Sequence, residues 1–188
     1  MRKVIVFMMT SLDGYIARPN GDIDWHVVDE EFNTFAEEQI HSVDTIMFGR
    51  ATYEGMMSWW PTQMAIEADP VIANLMNTMP KIVFSTTLSS ADWHNTRLIK
   101  DHIAEVVAQL KQQPGKDLII FGSNKLSASF INLGLLDELR IMVAPVLLGE
   151  GLSLFEGVAD TAHLKLLKTR VFQSGNVLHY YAPVDKTG

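Results

Sequence analysis

The sequence predicts an α/β fold built on a mixed, mostly parallel sheet, and three observations predict it. Apolar runs rich in Val, Ile and Phe recur over the first two thirds of the chain, each followed closely by Gly, Ser or Thr. Uninterrupted runs of this length suit strands covered on both faces. Helical patterns separate them, and the last third changes to the alternation of an antiparallel finish.

The first run, "KVIVFMM" (3–9), opens the sheet and leads into "SLDG", where Asp13 either starts a turn through local backbone bonds or orients a substrate. "RPNGDIDW" (18–25) is then an irregular loop. A helix follows, with Asp29 as its N-cap and Phe32, Phe35, Ala36 and Ile40 on one face. The second run (44–49) passes through Gly49 and Arg50 into another helix start, and the stretch from Ser58 to Pro80 reads as a second long loop. The third run covers 81–86. Beyond it Asp101 stands at an N-cap position ahead of a face made by Ile103, Val106, Val107 and Leu110. The fourth run (117–122) enters a helix carrying Leu126, Phe130, Ile131 and Leu133, which Gly134 should stop. Leu139, Ile141 and Val143 then alternate with Glu138, Arg140 and Met142. A hairpin closes the pattern, turning at Ser174, Gly175 and Asn176.

At 188 residues, one domain over 1–188 is the expectation. A net charge of -7 without a Lys/Arg cluster argues against a nucleic-acid surface. There is no cysteine, so disulfides, thiolate metal sites and cysteine nucleophiles are excluded. The six histidines lack metal-ligand spacing, and no metal is expected. The first apolar run is too short for a signal segment or a membrane span, which leads to the expectation of a cytoplasmic protein that binds no membrane.

Chemistry is concentrated where strands end. In "FGRATYE" a buried strand meets a glycine, through which a backbone can approach a phosphate, and an arginine that can clamp one. Alternatively the pair only starts a helix, with Arg50 facing solvent. "IIFGSNKLSASF" repeats the design at Gly122, and "FSTTLS" ends a third strand in hydroxyls that suit a ribose or a phosphate. A dinucleotide lying across three strand ends would use all of them. G-x-G-x-x-G, G-x-x-x-x-G-K-[ST] and G-x-S-x-G are absent. Trp25, Trp59 and Trp60 read as packing residues, though their place in the two loops would also let a ring cover a planar heterocycle.

Taken in order, "TSLDGYIA", "MFGRATYE", "VFSTTL" and "IIFGSNKLSASFINLGLLDELRIMVAPVLLGEG" resemble the C-terminal reductase domain of the riboflavin-biosynthesis protein RibD and its stand-alone, dihydrofolate-reductase-like bacterial relatives. The resemblance runs from about Lys3 to Pro183. It implies a dihydrofolate-reductase-like fold, NADPH as cofactor, a small heterocyclic substrate and a homodimer. Gly49, Arg50 and Thr52 would hold cofactor phosphates, with Arg50 on the 2′-phosphate. Ser85, Thr86 and Thr87 would flank the adenosine. Gly122, Ser123, Asn124 and Lys125 would form the pyrophosphate cradle, Phe121 just before them would also bind the cofactor, and Met9 and Ile16 would lie beside the nicotinamide.

This chain departs from the family pattern in having Asn124 at a common glycine position and Gly149-Glu150 where a Gly-Gly pair is usual; asparagine tolerates positive φ. True dihydrofolate reductases carry an acid on the first helix beyond a tryptophan. Here Trp25 precedes Asp29, Glu30 and Glu31, and only a shifted alignment places one of them. Asp29 or Glu30 is the candidate proton donor, and Asp13 a candidate orienting group. The zinc deaminase half of the bifunctional riboflavin enzyme has no counterpart, because its signature needs cysteines. The expected activity is NADPH-dependent reduction of a planar nitrogen heterocycle, a ribosylaminopyrimidine of riboflavin synthesis or a pterin. A non-catalytic NADPH or folate-like binding protein and a true dihydrofolate reductase are the alternatives.

Overall fold

The N-terminal apolar run forms β1 (Val4–Ser11), buried at every position. The structure, a computed structural model, describes residues 1–184; the last four residues of the expected 1–188 domain lie outside the described residues. After β1 come β2 (Tyr15–Ala17), α1 (Glu30–His41), β3 (Val43–Gly49) and α2 (Arg50–Trp59). The stretch read as a loop from Ser58 to Pro80 instead holds α3 (Gln63–Ala68) and α4 (Pro70–Thr78). Their starts are set by Thr62 and Asp69, whose side chains accept from Ala65 N and Ile72 N. Trp59 ends α2 rather than lying in a loop.

Next are β4 (Lys81–Phe84), β5 (Thr96–Ile99), α5 (Ile103–Gln112) and β6 (Asp117–Phe121). The strand β5 went unseen in the sequence because only four residues form it and two of them are polar. Asp101 is not the N-cap of α5; that place is taken by His102, in left-handed conformation and without a capping side-chain bond. The chain ends with α6 (Asn124–Asn132), β7 (Glu138–Ala144), β8 (Leu152–Ser153), β9 (Leu164–Val171) and β10 (Val177–Pro183). Gly134 stops α6 as anticipated, with φ +66°. Leu135 N donates to Phe130 O at 2.9 Å and Gly134 N to Ile131 O at 3.1 Å, the paired bonds of a left-handed helix stop.

The sheet order is β5-β4-β3-β6-β1-β7-β10-β9. All neighbours up to β7 pair in parallel, and β10 runs antiparallel to both β7 and β9. Ile5, Phe7 and Met9 face a core shared with Phe35 of α1, Tyr53 of α2 and Met76 of α4. Val4, Val6 and Met8 face the opposite core, with Val107 of α5 and Phe130 of α6. The alternation read in β7 does not mark a polar face. Met142 is fully buried, because helices cover both sides of this strand.

Helix α4 is tied down by a buried charge. Lys81 is 1% exposed, and its ammonium donates to the carbonyls of Met76, Asn77 and Met79 at 2.9, 3.2 and 2.8 Å. It also lies 4.6 Å from the Trp93 ring centre. Trp93 in turn donates its ring N–H to Asn77 Oδ1 and its backbone N–H to the Tyr53 hydroxyl, which joins α4 to α2. Among the described residues no helix is long and apolar enough to cross a membrane.

Candidate functional site

Strands β3 and β6 are neighbours, yet the helices after them leave in opposite directions: α2 packs on the α1 side of the sheet and α6 on the α5 side. Such a switch point opens a crevice at the carboxyl ends of the strands. Gly49 and Gly122 stand at its two edges. A Cβ built on Gly49 would collide with Ser123 Oγ and lie 3.6 Å from Leu126 Cβ, so the missing side chain lets the two turns close together. A Cβ on Gly122 would lie 3.5 Å from Thr52 Cγ2. Thr52 therefore sits between the turns.

The N-cap residues of α1, α3 and α4 bond a first-turn amide through their side chains, whereas those of α2, α5 and α6 do not; within α6, Asn124 Oδ1 accepts from Lys125 N at 2.9 Å. Two uncapped N-termini side by side suit an anionic ligand, because their amides and dipoles point at one place. Positive φ falls on Gly122 and Ser123, both at +61°. The conformational freedom expected of Asn124 is thus required of Ser123. Asn124 opens α6, and its side-chain Nδ2 donates to Ser153 O of β8 at 3.0 Å. Lys125 is exposed beside it, and Phe121 packs edge-on against Phe7 at 6.3 Å.

The structure also joins Arg50 to the end of β4. Arg50 Nη1 donates to Thr87 Oγ1 at 2.9 Å, and Ser85 Oγ accepts from the amides of Thr87 and Leu88. Thr86 is exposed on the same short loop. The other edge of the guanidinium is held by Glu54, whose Oε1 accepts from Nε at 2.9 Å. Glu54 was missed in the sequence, although its position four residues after Arg50 on a helix was the available signal.

At the end of β1, Met9 and Ile16 belong to opposite cores, Met9 on the α1 side and Ile16 on the α6 side. Asp13 accepts from Ser11 Oγ at 2.6 Å, Gly149 N at 2.8 Å and Leu148 N at 3.2 Å. These bonds, the Ser11 hydroxyl foremost, hold its carboxyl below the usual range. Asp13 is therefore ionised at neutral pH and clamps the loop after β7. Asp29 caps α1 by accepting from Phe32 N at 2.8 Å. Glu30 is exposed in the first turn of α1, and its carboxylate has no partner among the described residues. Its neighbour Glu31 is engaged by Gln173 N at 2.8 Å and by Arg170 at 3.6 Å.

Just before α1, Trp25 Nε1 and His26 Nε2 are buried without hydrogen-bond partners, the rings meeting edge-on at 4.3 Å. Burial pushes His26 down to about 4 from 6.5. The folded chain binds this proton less well than the unfolded chain, so the associated stability is complete above pH 6.5 and drains away as pH falls towards 4. We expect wild type to lose about 2 kcal/mol over that window in urea unfolding through this residue. His26→Phe should flatten the profile; an unchanged profile would show that the imidazole is not the source.

Comparison with known proteins gives the same architecture a family. The sequence pattern of the RibD C-terminal domain matches residues 2–178. The uncharacterized protein YyaP of Bacillus subtilis (strain 168) is 36% identical over 182 residues, covering 96% of this chain and 94% of its own. A crystal structure of a candidate riboflavin biosynthesis protein from Shewanella sp. PV-4 superposes with a TM-score of 0.74 at 25% identity, covering 97% of this chain and 99% of that one. Dihydrofolate reductase from Enterococcus faecalis, complexed with NADP(H), superposes with a TM-score of 0.66 at 18% identity over 97% of each chain, which shows the shared fold. An eight-stranded sheet of the dihydrofolate-reductase kind, with its crevice between β3 and β6, thus accompanies a match over nearly the whole length, and the chain belongs to the RibD C-terminal domain family.

Proposed function

We propose that this chain is an NADPH-dependent reductase of a small planar nitrogen heterocycle, formed as one domain. The carrying observation is the interlock of the Gly49 and Gly122 turns, which aims two uncapped helix N-termini at one crevice. A dinucleotide fits this cradle by its charge. Gly49, Thr52, Gly122, Ser123, Asn124 and Lys125 would hold the pyrophosphate. Arg50, with Ser85, Thr86 and Thr87, would hold the 2′-phosphate and the adenosine side. Met9, Ile16 and Phe121 would border the nicotinamide side. The bound cofactor supplies a hydride, and the protein's share is position and electrostatics.

Asp13, ionised and bonded to Gly149, orients the loops at the end of β1. With Asp13 ionised, the proton that follows the hydride comes from Glu30 or from water. The substrate is a pyrimidine of the riboflavin type or a pterin. The test is NADPH oxidation, followed by absorbance, with the riboflavin-pathway pyrimidine, dihydropterins and dihydrofolate. Oxidation dependent on one of them is expected. Saturable NADPH binding without turnover on any would leave a binding protein instead.

We also propose a homodimer. The edge strand β9 exposes Leu164, Leu166, Leu167 and Val171 by 39%, 51%, 49% and 69%, and an open apolar edge is a surface for pairing. Leu166→Glu should halve the mass seen in sedimentation equilibrium. A wild-type chain that sediments as a monomer would refute it.

A further inference from the structure

Arg50 already has partners before any phosphate arrives, and the two partners differ in kind. Thr87 is neutral and offers a hydroxyl that phosphate oxygens can share. Glu54 is an anion, bound to Nε at 2.9 Å, with both side chains about half exposed. Helix α2 has no acidic residue in its first turn and begins with a cation, an arrangement its own dipole disfavours. A carboxylate one turn further on offsets this and fixes the guanidinium over the crevice.

We propose that Glu54 sets how strongly this chain favours a 2′-phosphate: it holds Arg50 while no nucleotide is bound, and it opposes the phosphate that later shares the same guanidinium. The proposal rests on the reading of Arg50 as the phosphate clamp. Two effects of Glu54 compete. Holding Arg50 in place aids binding, but an exposed pair at this helical spacing is weak. A phosphate carrying almost two negative charges, brought to the other side of one guanidinium, lies within about one screening length (~8–10 Å) of the Glu54 carboxylate. Repulsion is the larger effect, so Glu54 lowers the preference for NADPH.

The experiment is fluorescence titration of wild type, Glu54→Gln and Arg50→Ala with NADPH and with NADH. Glu54→Gln should raise the ratio of the NADH Kd to the NADPH Kd by about three- to tenfold, and added salt should shrink the difference from wild type. A ratio that stays level or falls would overturn the proposal, as would a difference indifferent to salt. Arg50→Ala tells the two ideas apart. It should bring the ratio close to one. If it weakens both nucleotides equally, the Arg50 clamp itself is lost, and the role of Glu54 with it. Because Glu54 is exposed on α2, Glu54→Ala serves as a second charge-removing variant, with the same result expected.

Discussion

Gly49→Val is expected to weaken NADPH and NADH alike, by about tenfold or more, while the chain stays folded. Position 49 has extended backbone angles, φ -81° and ψ 166°, which valine adopts without strain. The cost arises in the contact. An added Cβ meets Ser123 Oγ, and a serine hydroxyl can rotate away from a single methyl. The γ-methyls of valine also press on Ser123 and Leu126, and the α6 turn has to move off the α2 turn. A ligand gripped by both turns loses one of them. Because the affected group is the pyrophosphate, which both nucleotides carry, the loss is shared equally, in contrast to the selective loss expected of Arg50→Ala. Calorimetric titration reads it, and unaltered affinity in a folded Gly49→Val chain would show that the interlock does not form the grip.

Lys81→Met should cost about 2 kcal/mol of stability, a fall in melting temperature of roughly 4–8 °C for a chain of this size. The sign follows from comparing two terms. Burial disfavours the ammonium and pushes Lys81 down to about 8 from 10.5, and a methionine is free of that penalty. Against this stand bonds to the carbonyls of Met76, Asn77 and Met79, which no other side chain satisfies once the lysine is gone. Hydrogen bonds to a charged group contribute about 1.5–3 kcal/mol each, so three of them outweigh the desolvation. The consequence reaches the crevice as well. Asn77 and Trp93 link α4 to Tyr53 of α2, the helix that carries Arg50. Chemical unfolding measures the change, and a variant as stable as wild type would show that the ammonium is not holding α4.

The strands carrying the crevice were legible because each is a continuous apolar run closed by a small residue, and β1, β3, β4 and β6 all appear there. The pairing of Gly49 with Gly122 was legible only as repetition: two similar turns suggested a common ligand, and the sheet order makes them neighbours. Short or half-polar elements left no trace. The strand β5 is too brief to establish a period, and α3 and α4 hide in a stretch whose Pro61, Thr62, Asp69 and Pro70 look like loop chemistry although Thr62 and Asp69 cap helices and Pro70 opens one. Long-range polar contacts were beyond the sequence altogether. Nothing local says that Lys81 turns back onto the end of α4, that Asp13 is consumed by Leu148 and Gly149, or that Ser123 rather than Asn124 adopts positive φ. The proton donor stayed open for a related reason. The acids around α1 are close in sequence, and only the fold separates Asp29, a cap, from Glu31, bonded to Gln173, and from the exposed Glu30.

Isothermal titration of the purified wild-type chain with NADPH tests the central claim most directly. Two open helix starts meeting at one crevice should give saturable, one-to-one binding at micromolar concentration that weakens as salt is added. A flat titration at millimolar nucleotide would mean that the crevice between β3 and β6 holds no such ligand.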